Sequence, residues 1–203
     1  MSEKNFDFNE FIAGSTNSLQ DPKGYFSGLK TTGGFVEPII KALIFGVVAA
    51  IINYIWLVAG LNVAGFGFWG AAAGPMVIFW GAFGAMIGLF IGAVIMLIFS
   101  AICGGNTDYE ANVRVTASLM VLMPINAVLN FIVIISTGLA TIIGMLVSAY
   151  GLWMLFNALT QTLKAKENSA KVLVIILLVL MVFFTLLGLI FGAIFKAANY
   201  NYY

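Results

Sequence analysis

From Ala42 to Thr107 the chain carries not one lysine, arginine, aspartate or glutamate, and the same holds from Val115 to Leu163 and from Val172 to Phe195. A water-facing fold cannot be covered with such material. A soluble domain carries about 25% charged residues, whereas here the figure is 8%, with 62% hydrophobic residues and a mean hydropathy of +1.07. In a bilayer every backbone polar group must be satisfied within the segment, which leaves helices or closed barrels. About 20 apolar residues cross the roughly 30 Å of hydrocarbon as a helix. The runs divide into five such spans, at about 39–59, 76–102, 115–135, 139–163 and 172–195. The expected fold is all-α: an integral, multi-pass membrane bundle of five transmembrane helices. Only "STG" (136–138) separates the third span from the fourth, which implies an antiparallel helical hairpin.

Lysine and arginine set the direction. Lys4, Lys23, Lys30 and Lys41 precede or begin the first span, Arg114 lies in the second loop, Lys164, Lys166 and Lys171 fall in the fourth, and Lys196 ends the fifth. With the N-terminus inside and the C-terminus outside, eight of the nine basic residues face the cytoplasm. The start "MSEKNFDFNEF" is polar and mixed in charge, unlike a secretory signal, so the first span is expected to remain in the mature protein. Three parts follow: a cytoplasmic segment (1–37), the five-helix region (38–197) and a short outer tail (198–203).

Catalysis finds little to work with. There is no histidine, and Cys103 is the one cysteine, so histidine-based acid–base pairs, thiolate metal clusters and internal disulfides are excluded. No acid lies inside a span, and Glu37, Asp108 and Glu110 are scattered at interfaces. The chain is read as non-enzymatic, with no cofactor and no metal. Cys103 reads as a small packing residue at a helix end.

Charge instead marks the loops. "CGGNTDYEANVR" (103–114) is either a connector or a docking surface. Gly104 and Gly105 stop the second helix and Asp108 can cap the next. Glu110 and Arg114 stand four apart and can face each other on a helix, as can Glu37 and Lys41 at the start of the first span. With Tyr109, Glu110 and Arg114 are the expected contacts for a cytoplasmic protein partner. "DPKGYFSGLK" (21–30) begins with a cap and a proline at the first helical position, and Tyr25, Phe26 and Leu29 share a face. This predicts a short interfacial helix, its apolar side in the headgroup region and its lysines near anionic lipid, with Phe6, Phe8, Phe11 and Ile12 extending the contact. Phe66, Phe68 and Trp69 are expected as aromatic anchors on the outer side.

Two features inside the spans remain. Gly84, Gly88 and Gly92 form overlapping GxxxG steps, which let helices approach closely, within one bundle or along the seam of a homodimer. Asn53, Asn126, Asn130, Tyr150 and Asn157, with Gln161 nearby, are the polar groups most costly to place in hydrocarbon. At 1.5 Å per residue, Asn53, Asn126, Asn130 and Tyr150 come to depths of about 21, 16, 22 and 20 Å. They can form a polar layer, either as interhelical glue or as a lipid or small-solute conduit. Pro124 beside it frees a backbone carbonyl. No nucleic-acid partner is expected. Lipids are.

The order of these features resembles the Yip family, polytopic membrane proteins named for interaction with Rab-type GTPases. The similarity is carried by "DPKGYFSGLK", "EPIIKALIFG", "GGNTDYEANVRVTASLMVLMP" and "GLWMLFNALTQTLKAKENSAKVLVIILLVLMVF", over about residues 20–190. The chain looks more like compact prokaryotic members, with "SAKV" before the last span and a short N-terminal region. The resemblance implies five helices, no catalytic chemistry, and a scaffold or adaptor that organises membranes through cytoplasmic contacts, as in trafficking. It also implies placement in a prokaryotic cytoplasmic membrane.

Overall fold

A computed structural model of the protein describes residues 7–61 and 76–200. The expected anchors Phe66, Phe68 and Trp69, and Phe6, lie outside the described residues. Nine α-helices are formed among them: α1 (Phe8–Gln20), α2 (Pro22–Gly28), α3 (Val36–Val58), α4 (Met76–Ile102), α5 (Tyr109–Leu119), α6 (Leu122–Leu129), α7 (Ile132–Ile135), α8 (Thr137–Asn157) and α9 (Glu167–Tyr200). A π-helical turn, Ala158–Thr162, extends α8. Five stretches are long and apolar enough to cross a membrane: Val36–Val58, Met76–Ile102, Tyr109–Ile135, Thr137–Thr162 and Glu167–Gly192. The third starts six residues earlier than hydropathy alone suggests, because the polar sequence from Tyr109 to Arg114 is itself helical.

That third span is α5, α6 and α7 in series, and its first break has a local cause. Pro124 has no N–H to donate to the Met120 carbonyl, and Met123 N–H takes that carbonyl at 2.9 Å instead, tightening the turn. Where α6 ends, the Ala127 carbonyl accepts from Trp56 Nε1 at 2.9 Å, which ties α3 to the irregular helix. The hairpin between α7 and α8 is narrower than "STG". Ser136 alone is extended, and its hydroxyl accepts from Leu139 N–H at 3.3 Å to start α8.

Helix association in a bilayer has no water-driven apolar term and relies on close backbone approach. α3 and α4 meet in this way, through Gly46 and Gly81. A β-carbon on Gly46 would collide with Ala85 Cβ and stand 3.2 Å from the Gly81 carbonyl, and one on Gly81 would lie 2.5 Å from Ala50 Cβ. The expected glycine face is turned away from this contact. Gly84 and Gly88 open onto space, and only Gly92 packs, against Thr116 of α5. The inner face of α4 is instead Val77, Ala85, Leu89, Ala93, Met96 and Ser100. The fifth span is the opposite case: none of its most apolar window is buried within the chain.

Gly46→Ala is expected to lower the unfolding temperature in detergent, with an overpacking cost of about 1–3 kcal/mol. Gly88→Ala, facing open space, should leave it unchanged or raise it by up to about 1 kcal/mol through helix propensity. Thermal unfolding of the two variants side by side checks which glycines make the contact.

Candidate functional site at the charged end

The connector 103–108 is built from helix-end chemistry. Gly104, at φ +67, closes α4, with its N–H on the Ala101 carbonyl (3.0 Å) and that of Gly105 on Ser100 (2.8 Å). Asp108 accepts from Ala111 N–H at 2.9 Å and starts α5. The fourth loop is clasped to this connector by backbone bonds in both directions: Asn106 N–H to the Leu163 carbonyl (2.6 Å) and Lys166 N–H to the Cys103 carbonyl (3.0 Å). Gly105 makes room for the clasp, since a β-carbon there would lie 2.9 Å from the Leu163 carbonyl. Lys164, at φ +54, turns the chain out of the π-helical turn and into the clasp.

Arg114 sits behind the connector. It is only 5% exposed and each arm of its guanidinium is occupied. Nη1 meets Glu37 at 3.0 Å, Nε meets Glu110 at 3.4 Å, and Nη2 donates to the Gly34 carbonyl at 3.0 Å. Glu110 also accepts from Gly34 N–H at 2.6 Å, and Glu37 pairs with Lys41 at 2.8 Å. The four charges balance, as a desolvated cation requires. Gly33, at φ +128, lies so close that a β-carbon would stand 2.7 Å from Nη2.

Residues 8–28 form an arm of two helices folded onto this end. α1 was not anticipated, since Ser, Thr, Asn and Gly crowd its sequence. Its start was legible, however, because Asp7 caps Asn9 and Glu10 at 2.8 and 3.1 Å. The apolar face of α2 turns onto the bundle rather than outward to lipid. Phe26 is wholly buried beside the π-helical turn, Tyr25 shares a hydrogen bond with Ser118 (3.0 Å), and Thr162 donates to the Phe26 carbonyl at 2.6 Å. Leu29 packs partly buried against the same core, and Phe11 meets Phe45 with ring centroids 5.2 Å apart.

The remaining expected site residues are dispersed. Arg114 and Glu110 share one cluster, as their spacing allows. Tyr109 is half-buried, with its hydroxyl donating to the Phe90 carbonyl at 3.2 Å. The polar residues do not form one layer. Asn130 donates to Asn53 at 2.9 Å, joining the third span to the first. Asn126, exposed, bonds its own helix at Leu122; Asn157, buried, bonds Trp153. Tyr150 donates to the Leu19 carbonyl of the arm. Equal depth does not bring groups together when their helix faces differ.

Asn112 was not anticipated either. It is fully buried and donates to the Asn106 and Asp108 carbonyls at 3.2 and 2.7 Å, which braces the connector from within. Its Oδ1 has no partner in the structure. Cys103 is buried, and burial pushes its thiol above the ordinary range, away from the reactive thiolate. Among the described residues no group of three histidine, cysteine or acidic side chains is placed to hold a metal. The exposed residues of this end include Lys23, Lys30, Asn106, Thr107, Lys164 and Lys166, together with Asp21, Asp108 and the Glu167–Lys171 pair.

A family model described as the Yip1 domain matches residues 16–190 of the chain. No curated protein and no solved structure matches it.

Arg114→Ala should destabilise the protein by about 2–3 kcal/mol, less than a fully buried pair would cost because Glu37 is half-exposed. Arg114→Lys should recover only part of this, since an ammonium cannot hold three partners in a plane. Thermal unfolding in detergent measures both. Cys103 should resist alkylation at neutral pH in the folded protein and react after denaturation, as mass spectrometry of the labelled chain would show.

Proposed function

The chain belongs to the Yip1 domain family of polytopic membrane proteins, and on that premise we propose that it is a non-enzymatic scaffold or adaptor, organising its membrane by docking a protein on the charged end of the bundle. The observation that carries the reading is the division of labour at this end. Arg114, Glu37 and Glu110 tie the Gly34 link to the starts of α3 and α5, Asn112 braces the connector, and backbone bonds clasp the fourth loop to it. Thr107, Asn106, Lys164 and Lys166 are left exposed on that support. A braced platform with exposed polar groups suits recognition. Tyr109, Glu110 and Arg114 then act by shaping the platform, and the docking contacts are the exposed residues around them.

The orientation is part of the proposal: eight of the nine basic residues fall on the side of this end, which supports a cytoplasmic location for it. The conduit reading has weaker support, because Asn130 is hydrogen-bonded to Asn53 while Asn126 and Asn157 each bond their own helix.

Thr107 is exposed and makes no side-chain bond among the described residues, so a photo-crosslinking residue there leaves the connector intact. Irradiation in native membranes should yield a discrete protein adduct, reduced when Lys166 is changed to glutamate. Lipid adducts alone, or none, would reject the adaptor reading.

A further inference from the structure

The side of α9 nearest the end of α4 is not covered by protein. Ile102, Asn168, Ser169, Val172, Leu173 and Ile176 line an open groove of about 380 Å³ there. Its floor is aliphatic and runs down the fifth span, whose mean hydropathy is 3.3. Its upper edge carries the Asn168 amide and the Ser169 hydroxyl.

Lys166 precedes the groove's Asn168 by two residues in the chain. The backbone of Lys166 is fixed by its bond to the Cys103 carbonyl at 3.0 Å, one residue beyond Ile102. Its side chain runs over Gly104, where a β-carbon would lie 3.5 Å from Lys166 Cε. The residue is exposed, and among the described residues no carboxylate pairs with it. The nearest acid in sequence, Glu167, is held by Lys171 at 2.7 Å.

We propose that this groove holds one anionic phospholipid, with an acyl chain along Val172, Leu173 and Ile176 and its phosphate at Lys166. The occupant follows from complementarity. An aliphatic floor on a membrane-spanning helix takes a hydrocarbon chain. An unpaired ammonium at the headgroup level takes an anion. A phospholipid with net negative charge supplies both in one molecule, whereas a zwitterionic lipid brings its own cation to the same place. The backbone clasp between the connector and the fourth loop is what holds these two features side by side. The site shares Lys166 with the proposed docking face, but its test does not need a protein partner: a retained lipid in a chain that gives no protein adduct would support this inference while rejecting the adaptor.

The test is native mass spectrometry of the delipidated full chain in detergent, with phosphatidylglycerol or phosphatidylcholine added. One phosphatidylglycerol should be retained in preference to phosphatidylcholine by about fivefold, the effect of one lysine beside an anionic headgroup. Lys166→Gln, at an exposed position, should abolish the preference. Val172→Trp, which fills the groove from its lipid-facing side, should abolish retention without lowering the unfolding temperature. Equal retention of the two lipids, or a preference that survives Lys166→Gln, would overturn the site. Displacement of the lipid by free glycerophosphoglycerol, or retention unaffected by Val172→Trp, would reduce it to a headgroup contact and overturn the groove.

Discussion

One buried guanidinium holds together parts of this chain that are far apart in sequence. Arg114 reaches Glu110 on its own helix, Glu37 at the start of α3, and the Gly34 carbonyl in the link from the arm. A cation withdrawn from water must find opposite charge and hydrogen-bond acceptors around it. The sequence offers few charged residues, so the choice is narrow, and meeting it draws the beginning of the first span against the beginning of the third. The Gly33–Gly34 turn is part of that meeting, since Gly34 bonds both Arg114 and Glu110. It also sits where such a cluster is affordable, at the end of the bundle, while the remaining length of the spans carries no charge at all.

The rest of the architecture answers a different constraint. Lipid tails are as apolar as leucine, so helices gain little by hiding apolar surface from them. Contacts must come from shape and from hydrogen bonds. α3 and α4 use shape, with glycine set against alanine in both directions. The third span uses hydrogen bonds, through Trp56 to Ala127 and Asn130 to Asn53, near the places where its own helix is interrupted. α9 uses little of either, and its apolar surface is left to the surroundings. The result is dense at the charged end and along α3–α4, and open elsewhere.

The charged end is a network of buried polar groups beneath exposed loops. Its buried polar groups are satisfied by one another, Asn112 Oδ1 apart, and its one thiol is buried. The π-helical turn and the left-handed Lys164 are local departures from regular helix. Their consequence is visible: they carry the fourth loop to the connector, so that two loops separated by two spans form one surface.

The sequence by itself determined what depends on neighbours along the chain. Five spans were legible because length and hydropathy are local. So were the stop at Gly104, the cap at Asp108 and the pairs Glu110–Arg114 and Glu37–Lys41, because helix geometry fixes spacings of three and four. The resemblance over residues 20–190 agrees with the family match. Tertiary structure decided which faces meet. Gly84 and Gly88 carry the same spacing signal as a packing face, yet Gly46 and Gly81 make the contact. In an all-apolar helix no contrast between wet and dry sides marks the inner face. Depth likewise placed Asn126 and Tyr150 level with Asn53 and Asn130 but could not say which way each points. The inward turn of α2 was hidden for a related reason. An apolar face made of Tyr25, Phe26 and Leu29 fits a headgroup layer or a protein groove equally well, and only the pocket beside the π-helical turn, assembled from distant residues, chooses between them.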